Sequence, residues 1–162
     1  MLGIKKAKND IIITNHSDCQ FSFDVLIPFV NVLENKNFII FPKRVNRSIF
    51  SQVRSLFVKI VCSLILSRKI PDVNGQPKMF NANKIKKLKS WPTGFAFDLF
   101  LYCFLRNSDT KIYIPEVKEK KRTMGVSSWN ISIISQLRFF KIYLRDCLKI
   151  RDIKNQNRYD NN

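Results

Sequence analysis

The chain has 162 residues, 45% of them hydrophobic, and sets 29 Lys and Arg against 12 Asp and Glu for a formal charge of +17. That length suggests one domain with a real core, and that charge excludes polycations as targets and favours polyanions: nucleic acid, anionic lipid headgroups or phosphorylated small molecules. The most apolar run, Leu56 to Leu66, is broken by Lys59 and too short to span a bilayer, so any membrane contact is expected to be peripheral.

The N-terminus MLGIKKAKND has no signal-peptide core. Ile11 to Thr14 is a β-branched run and reads as a buried strand. Asp24 to Asn35 reads as a helix with Ser22 as a candidate N-cap. Phe38 to Phe41 reads as a second buried strand, ended by Pro42 and the basic Lys43-Arg44. Ser48 to Leu66 reads as a long helix, with Ile49, Val53, Leu56, Ile60 and Leu64 at helical spacing. Residues 70–78 form a Pro/Gly loop, and Met79-Phe80 begins a short element. Lys84 to Lys89 is very basic, Gly94 to Arg106 is a Phe/Leu-rich helix, and Lys111 to Val117 alternates as a strand. A basic loop, Lys118 to Ser128, leads into an amphipathic helix from Asn130 to about Ile153, and the polar tail beyond Lys154 is expected to fray.

Alternating strands and helices argue for an α/β fold with a mixed, mostly parallel sheet. Cys19, Cys62, Cys103 and Cys147 lie roughly 40 residues apart, without zinc or redox spacing, which reads as a reduced, cytosolic set.

Several polar clusters carry candidate chemistry. Asp10 to Gln20 places His16 and Asp18 just past a buried strand, where ligands bind in open α/β sheets. A carboxylate there can hold a divalent cation that neutralises a diphosphate, and a histidine favours Mn²⁺ over Mg²⁺. The plain alternative is an ordinary strand-to-helix turn. Asp72, Gln76 and Lys78 sit on a Gly/Pro-shaped loop, either as turn chemistry or as an acceptor or phosphate loop.

Asp98 interrupts an apolar helix, where a carboxylate must be desolvated, paired or facing a cavity. It suits a general base, or else simply a first-turn position favoured by the helix dipole. The loop with Arg122, Gly125, Ser127 and Ser128 can cradle phosphate or form a solvated charge run. On the last helix Arg138, Lys141, Arg145 and Lys149 adjoin an apolar stripe of Ile133, Leu137, Phe140, Leu144 and Leu148. Such a helix can lie in a membrane interface or pack on a core.

In this order, these segments resemble the family 2 glycosyltransferases with a GT-A fold, nearest to the dolichyl- or bactoprenyl-phosphate sugar transferases. Residues 2–10 match the helix end before the family's Asp-x-Asp strand. Asp18 falls on the second carboxylate of that motif, and His16 replaces the first. DVNGQPKMF (72–80) resembles the block whose Gln and Lys line the active-site floor. Phe95 to Leu101 resembles the helix carrying the acidic residue, here Asp98. IYIPEV with Arg122, Gly125, Ser127 and Ser128 resembles the closing strand and its Arg-x-x-Gly-x-Ser loop.

The match runs from about residue 2 to residue 130. It implies that 1–130 is the C-terminal two-thirds of a GT-A domain, followed by a basic amphipathic helix over 131–154 and a tail over 155–162. The family's nucleotide-binding N-terminal strands would precede residue 2, which leaves open a separate N-terminal half as a partner.

The resemblance also implies an enzyme. It would transfer sugar, with inversion and with Mg²⁺ or Mn²⁺, from a nucleoside-diphosphate sugar to a polyprenyl phosphate or a saccharide at the cytoplasmic membrane face. Asp18 and His16 would hold the metal. Asp98 would be catalytic. Gln76, Lys78, Arg122, Ser127 and Ser128 would bind donor or acceptor phosphate, with Asp72, Arg44 and Arg47 nearby. The rival readings are a basic nucleic-acid-binding protein, which lacks a helix-turn-helix, zinc or RNA-recognition signature, and a non-catalytic membrane-associated remnant.

Overall fold

Phe38–Ile40 is apolar at every position because both of its faces are covered. In the computed structural model, which describes residues 2–34, 37–88, 92, 94, 96–106, 109–120 and 132–159, this run is strand β2. Phe38 and Ile40 pack with Leu26 and Met79 on one face of the sheet. Ile39 and Phe41 pack on the other face with Ile12, Phe80, Cys62 and Leu99.

The sheet also contains β1 (Ile11–Thr14), β4 (Lys78–Asn81) and β5 (Lys111–Tyr113), in the order β1-β4-β2-β5. β2 and β5 pair in parallel, while β4 stands between β1 and β2 and runs against both. The expected α/β architecture is present. Three of the four strands run the same way, so β4 supplies the antiparallel part of a mixed sheet.

Beyond β2 and β5 the pairing continues as a two-stranded parallel ribbon, β3 (Lys43–Val45) with β6 (Glu116–Lys118). Between them Phe41 N–H donates to Tyr113 O at 3.0 Å and Lys43 N–H to Pro115 O at 2.8 Å. Pro42 and Pro115 have no N–H to give, so the ladder breaks from the main sheet there. The stretch expected as one strand, Lys111 to Val117, is therefore two strands in two sheets.

Gly75 passes close by this break, and a Cβ at that position would overlap the Pro42 carbonyl. Gly75→Ala should therefore destabilise the fold by about 2 kcal/mol. Urea unfolding measures this, and an unchanged midpoint would show that the loop has room to move.

Five helices and one 3₁₀ segment surround the sheets among the described residues. The short α1 (Leu2–Lys6) and α3 (Asn83–Lys86) each place one isoleucine, Ile4 and Ile85, in the core. The helix expected over Asp24 to Asn35 is a 3₁₀ segment, Phe23–Glu34, with Pro28 inside it. α2 (Ile49–Ile65) is capped by Ser48, whose Oγ accepts from Ser51 N–H at 3.4 Å. α4 (Phe97–Leu105) buries Leu99, Phe100, Leu101, Tyr102 and Leu105.

α5 runs over Ile133–Tyr159, past the point where a frayed tail is expected. Among its described side chains Tyr143, Asp146, Cys147 and Ile150 are buried, while Leu137 and Leu148 of the expected apolar stripe are exposed. α2 likewise docks through Cys62 with Val58 and Ile65, whereas its regular stripe from Ile49 to Leu64 faces outward. No described helix is long and apolar enough to cross a membrane.

Candidate functional site

The strand register brings Thr14, Ile40, Tyr113 and Lys78 to one end of the main sheet. It is the C-terminal end of β1, β2 and β5, and the segments leaving it carry most of the predicted residues. His16 follows β1, Arg44 lies on β3, Gln76 and Lys78 lead into β4, and Asp98 occupies the first turn of α4.

Lys78 is the most unusual of them, because its side chain is 0% exposed. Its Nζ lies 3.0 Å from Asp98 Oδ2, an ion pair without the alignment of a hydrogen bond, and sits 5.4 Å from the centre of the Phe41 ring. Burial pulls the lysine pKa below its ordinary value, and the Asp98 carboxylate opposes that pull. The Gln76 amide donates to Asp98 Oδ2 at 3.3 Å and lies 3.2 Å from His16 Nε2. Asp98 is therefore not a solitary carboxylate on an apolar face: a buried ammonium and an amide hold it, and the α4 dipole favours its charge.

His16 keeps part of its ring in water, but its Nε2 end turns into this cluster. Burial lowers its pKa. Asp98 and Asp18 favour the imidazolium, while Lys78 and Arg44 disfavour it.

A second cluster adjoins the first. Arg44 forks onto Asp72, with Nε to Oδ2 at 3.0 Å and Nη2 to Oδ1 at 2.9 Å. Arg47 Nη1 lies 3.8 Å from Asp72, and Glu119 approaches both guanidiniums, at 3.7 Å from Arg44 and 3.5 Å from Arg47. Arg47 also bonds Ser51 O, Ser51 Oγ and Ser55 Oγ along α2. Burial alone would raise the Asp72 carboxyl pKa, but Arg44, Arg47 and the Asn74 N–H outweigh it and hold it below the usual carboxylate range. Arg44 and Arg47 thus share two carboxylates, and they fix the loops that frame the site.

Five buried side-chain polar atoms among the described residues lack a hydrogen-bond partner: Thr14 Oγ1, Asn15 Oδ1, Arg47 Nε, Gln76 Oε1 and Lys78 Nζ. Arg47 Nε and Lys78 Nζ hold ion pairs, and the other three have no such compensation. All belong to the segments meeting at this end of the sheet. Buried polar groups are ordinarily satisfied, so a concentration of orphans in one place points to a ligand or ordered water.

The loop of residues 15–20 is tied in place from its far side. Gln20 Nε2 donates to Lys120 O and Lys120 N–H to Gln20 O, each at 2.9 Å. Cys19 adopts a left-handed φ of 56°, which turns the chain between Asp18 and Gln20. Asp18 Oδ1 accepts from Gln20 N–H at 3.4 Å.

Among the described residues no three His, Cys, Asp or Glu side chains converge on a point. Asp18 and His16 therefore supply at most an open, two-donor site. That donor set fits a cation such as Mn²⁺, which takes its remaining ligands from water and a phosphate.

Of the predicted residues, His16, Gln76, Lys78 and Asp98 meet directly, and Arg44, Arg47 and Asp72 meet beside them. Arg122, Ser127 and Ser128 lie outside the described residues. Glu119 was not singled out as a site residue, nor were Thr14 and Asn15. Glu119 stands within a run of lysines whose sequence gives no partner, while Thr14 and Asn15 carry the signal of polar groups closing a buried strand. A small cavity lined by Asn37, Asn81, Asn83 and Thr110 lies at the other end of β2 and β4, away from these groups. Compared with protein-family models and with curated proteins, the chain matches none.

Proposed function

We propose that this chain is a glycosyltransferase of the family 2, GT-A kind, which transfers sugar with inversion from a nucleoside-diphosphate sugar to a lipid phosphate or saccharide at the cytoplasmic membrane face. The observation that carries the reading is the meeting of Asp98, Lys78, Gln76 and His16 among orphaned polar atoms at one end of the sheet. They come from three segments up to 82 residues apart, in Asp98 and His16, and these are the segments through which the chain resembles that family.

In this reading Asp98 faces the acceptor. A hydroxyl acceptor needs it as base, whereas a phosphate monoester, with a second pKa of about 6, is already largely ionised and needs it only for positioning. The buried Lys78 charge stabilises the negative charge that develops on the leaving diphosphate. Gln76 orients Asp98 and keeps Oε1 for the sugar. Asp18 and His16 would hold a divalent cation, which supplies charge neutralisation to the diphosphate. By the resemblance, Arg122, Ser127 and Ser128 would also bind phosphate.

Asp98→Asn should reduce metal-dependent release of nucleoside diphosphate from a sugar nucleotide in the presence of a hydroxyl acceptor by about 100-fold or more, compared at equal folded fraction. Equal turnover in the two proteins would remove Asp98 from the chemistry. Vesicle binding without any sugar-nucleotide binding would instead favour a non-catalytic remnant.

A further inference from the structure

α2 is apolar on two opposite sides. Val58, Cys62 and Ile65 face the core, whereas Ile49, Phe50, Val53, Leu56, Phe57, Ile60 and Leu64 are exposed, Phe50 at 89% and Ile49 at 77%. At about 100° per residue those seven fall within roughly 120° of arc, so they form one continuous stripe along the whole helix. Seven exposed apolar side chains in one stripe are more than scattered surface hydrophobics.

α5 runs beside α2 in the same direction, since Phe57 meets Phe140 with ring centroids 5.3 Å apart and Cys62 meets Cys147. That register puts Ile134 and Leu137, both exposed, alongside Phe50 and Val53. The two helices therefore share a broad apolar face.

The charge around that face is predominantly positive: the acidic residues of α5 are Asp146, buried against Arg145, and Asp152, paired with Arg151 near the far end of the helix. Arg54 and Lys59 fall just beyond the two edges of the α2 stripe. Arg138, Lys141, Arg145 and Lys149 are exposed along α5. The chain as a whole carries +17. A second copy placed face to face would oppose cation to cation, whereas an anionic bilayer offers hydrocarbon to the stripe and phosphate to its flanks. Neither helix is long and apolar enough to cross a bilayer.

We infer that the α2–α5 face is a membrane-docking surface, on which the two helices lie in the headgroup layer of an anionic bilayer with the apolar stripe inserted. The surface stands apart from the transfer chemistry. What rests on that proposed chemistry is only its consequence for the acceptor. Arg47, immediately before the α2 N-cap, ties the candidate site to the first turns of α2. A docked α2 thus holds the site beside the headgroups, which suits an acceptor phosphate carried by a lipid.

Co-flotation of the purified full chain with vesicles of phosphatidylcholine, alone or mixed with phosphatidylglycerol, tests the docking. The wild type should float with the anionic vesicles, less at high salt, and much less with phosphatidylcholine alone. Phe50→Glu/Val53→Glu should bind anionic vesicles roughly 100-fold more weakly with an unchanged melting temperature. Arg138→Glu/Lys141→Glu, which leaves the stripe intact, should lose about tenfold on anionic vesicles and nothing on neutral ones, and it keeps the test alive should the first variant not fold.

A wild type that stays unbound with anionic vesicles overturns the proposal. So does a Phe50→Glu/Val53→Glu variant that floats as well as wild type. A wild-type dimer in light scattering that the stripe variant dissolves, without flotation, would assign the face to a second copy. Flotation without nucleotide binding would sink the transferase reading and leave the docking surface standing.

Discussion

Asp98→Asn should destabilise the fold by about 3 kcal/mol, because it leaves a fully buried ammonium without its counter-charge. Lys78 already carries a pKa depressed by burial, and Asp98 is the main group opposing that depression. Without the carboxylate, Lys78 must either stay charged in an apolar setting beside Phe41 or give up its proton more readily still. Lys78→Met should cost less, since Asp98 keeps 15% of its side chain exposed and still receives the Gln76 amide.

The combined Lys78→Met/Asp98→Leu variant should lie within about 1 kcal/mol of wild type or above it, as apolar replacements for buried ion pairs commonly do. Urea unfolding of the four proteins closes the cycle. A double variant as unstable as Asp98→Asn would mean that the pair is scaffold. A near-neutral double variant would show that the fold does not need the pair.

Asp72→Asn should be comparably costly, at about 3 kcal/mol near neutral pH. Asp72 takes both prongs of Arg44 and lies within ion-pair distance of Arg47, and all three side chains are mostly buried. Removing its charge leaves two guanidiniums side by side with only Glu119 between them. The effect should depend on pH in a definite direction. The folded carboxyl titrates below its unfolded value, so the stability it lends is present above the unfolded pKa and drains away as pH falls through the folded one. The gap between wild type and Asp72→Asn should therefore be full near neutrality and narrow below about pH 4. Chemical unfolding across that range measures it, and a gap that widens on acidification would contradict the assignment.

The residues that meet at the sheet end were legible by type and place. A carboxylate in an apolar helix and polar groups just past a β-branched strand are anomalies that sequence displays directly, and both Asp98 and His16 lie in the cluster. The full burial of Lys78 was not legible, because lysine is ordinarily a surface residue and nothing local announces Phe41 beneath it. The fork of Arg44 onto Asp72 spans 28 residues and depends on how β3 leaves the main sheet, which no local pattern encodes.

β1 and β2 were placed to within a residue, but β3 was not expected as a strand, β4 only as a short element, and the antiparallel direction of β4 was not foreseen. Antiparallel β4 wedges between two strands that point the same way, and hydrophobic runs carry no sign of direction. Pro115 did carry a signal, since a proline within a run argues against one central strand. The periodicity of α2 located the helix to within a residue at each end, yet the stripe it displayed is the face turned outward. A helix apolar on both sides offers two candidate faces, and spacing alone does not choose between them.

Isothermal titration of the purified chain with UDP and GDP, with and without Mn²⁺, is the most direct test of the proposed sugar-nucleotide chemistry. Binding that requires the metal, and that weakens about tenfold or more in Lys78→Met, is expected if the buried ammonium serves the diphosphate as proposed. Absence of binding to either nucleotide in Mn²⁺, with a salt-sensitive nanomolar affinity for RNA or DNA instead, would contradict that proposal and make the chain a basic nucleic-acid-binding protein.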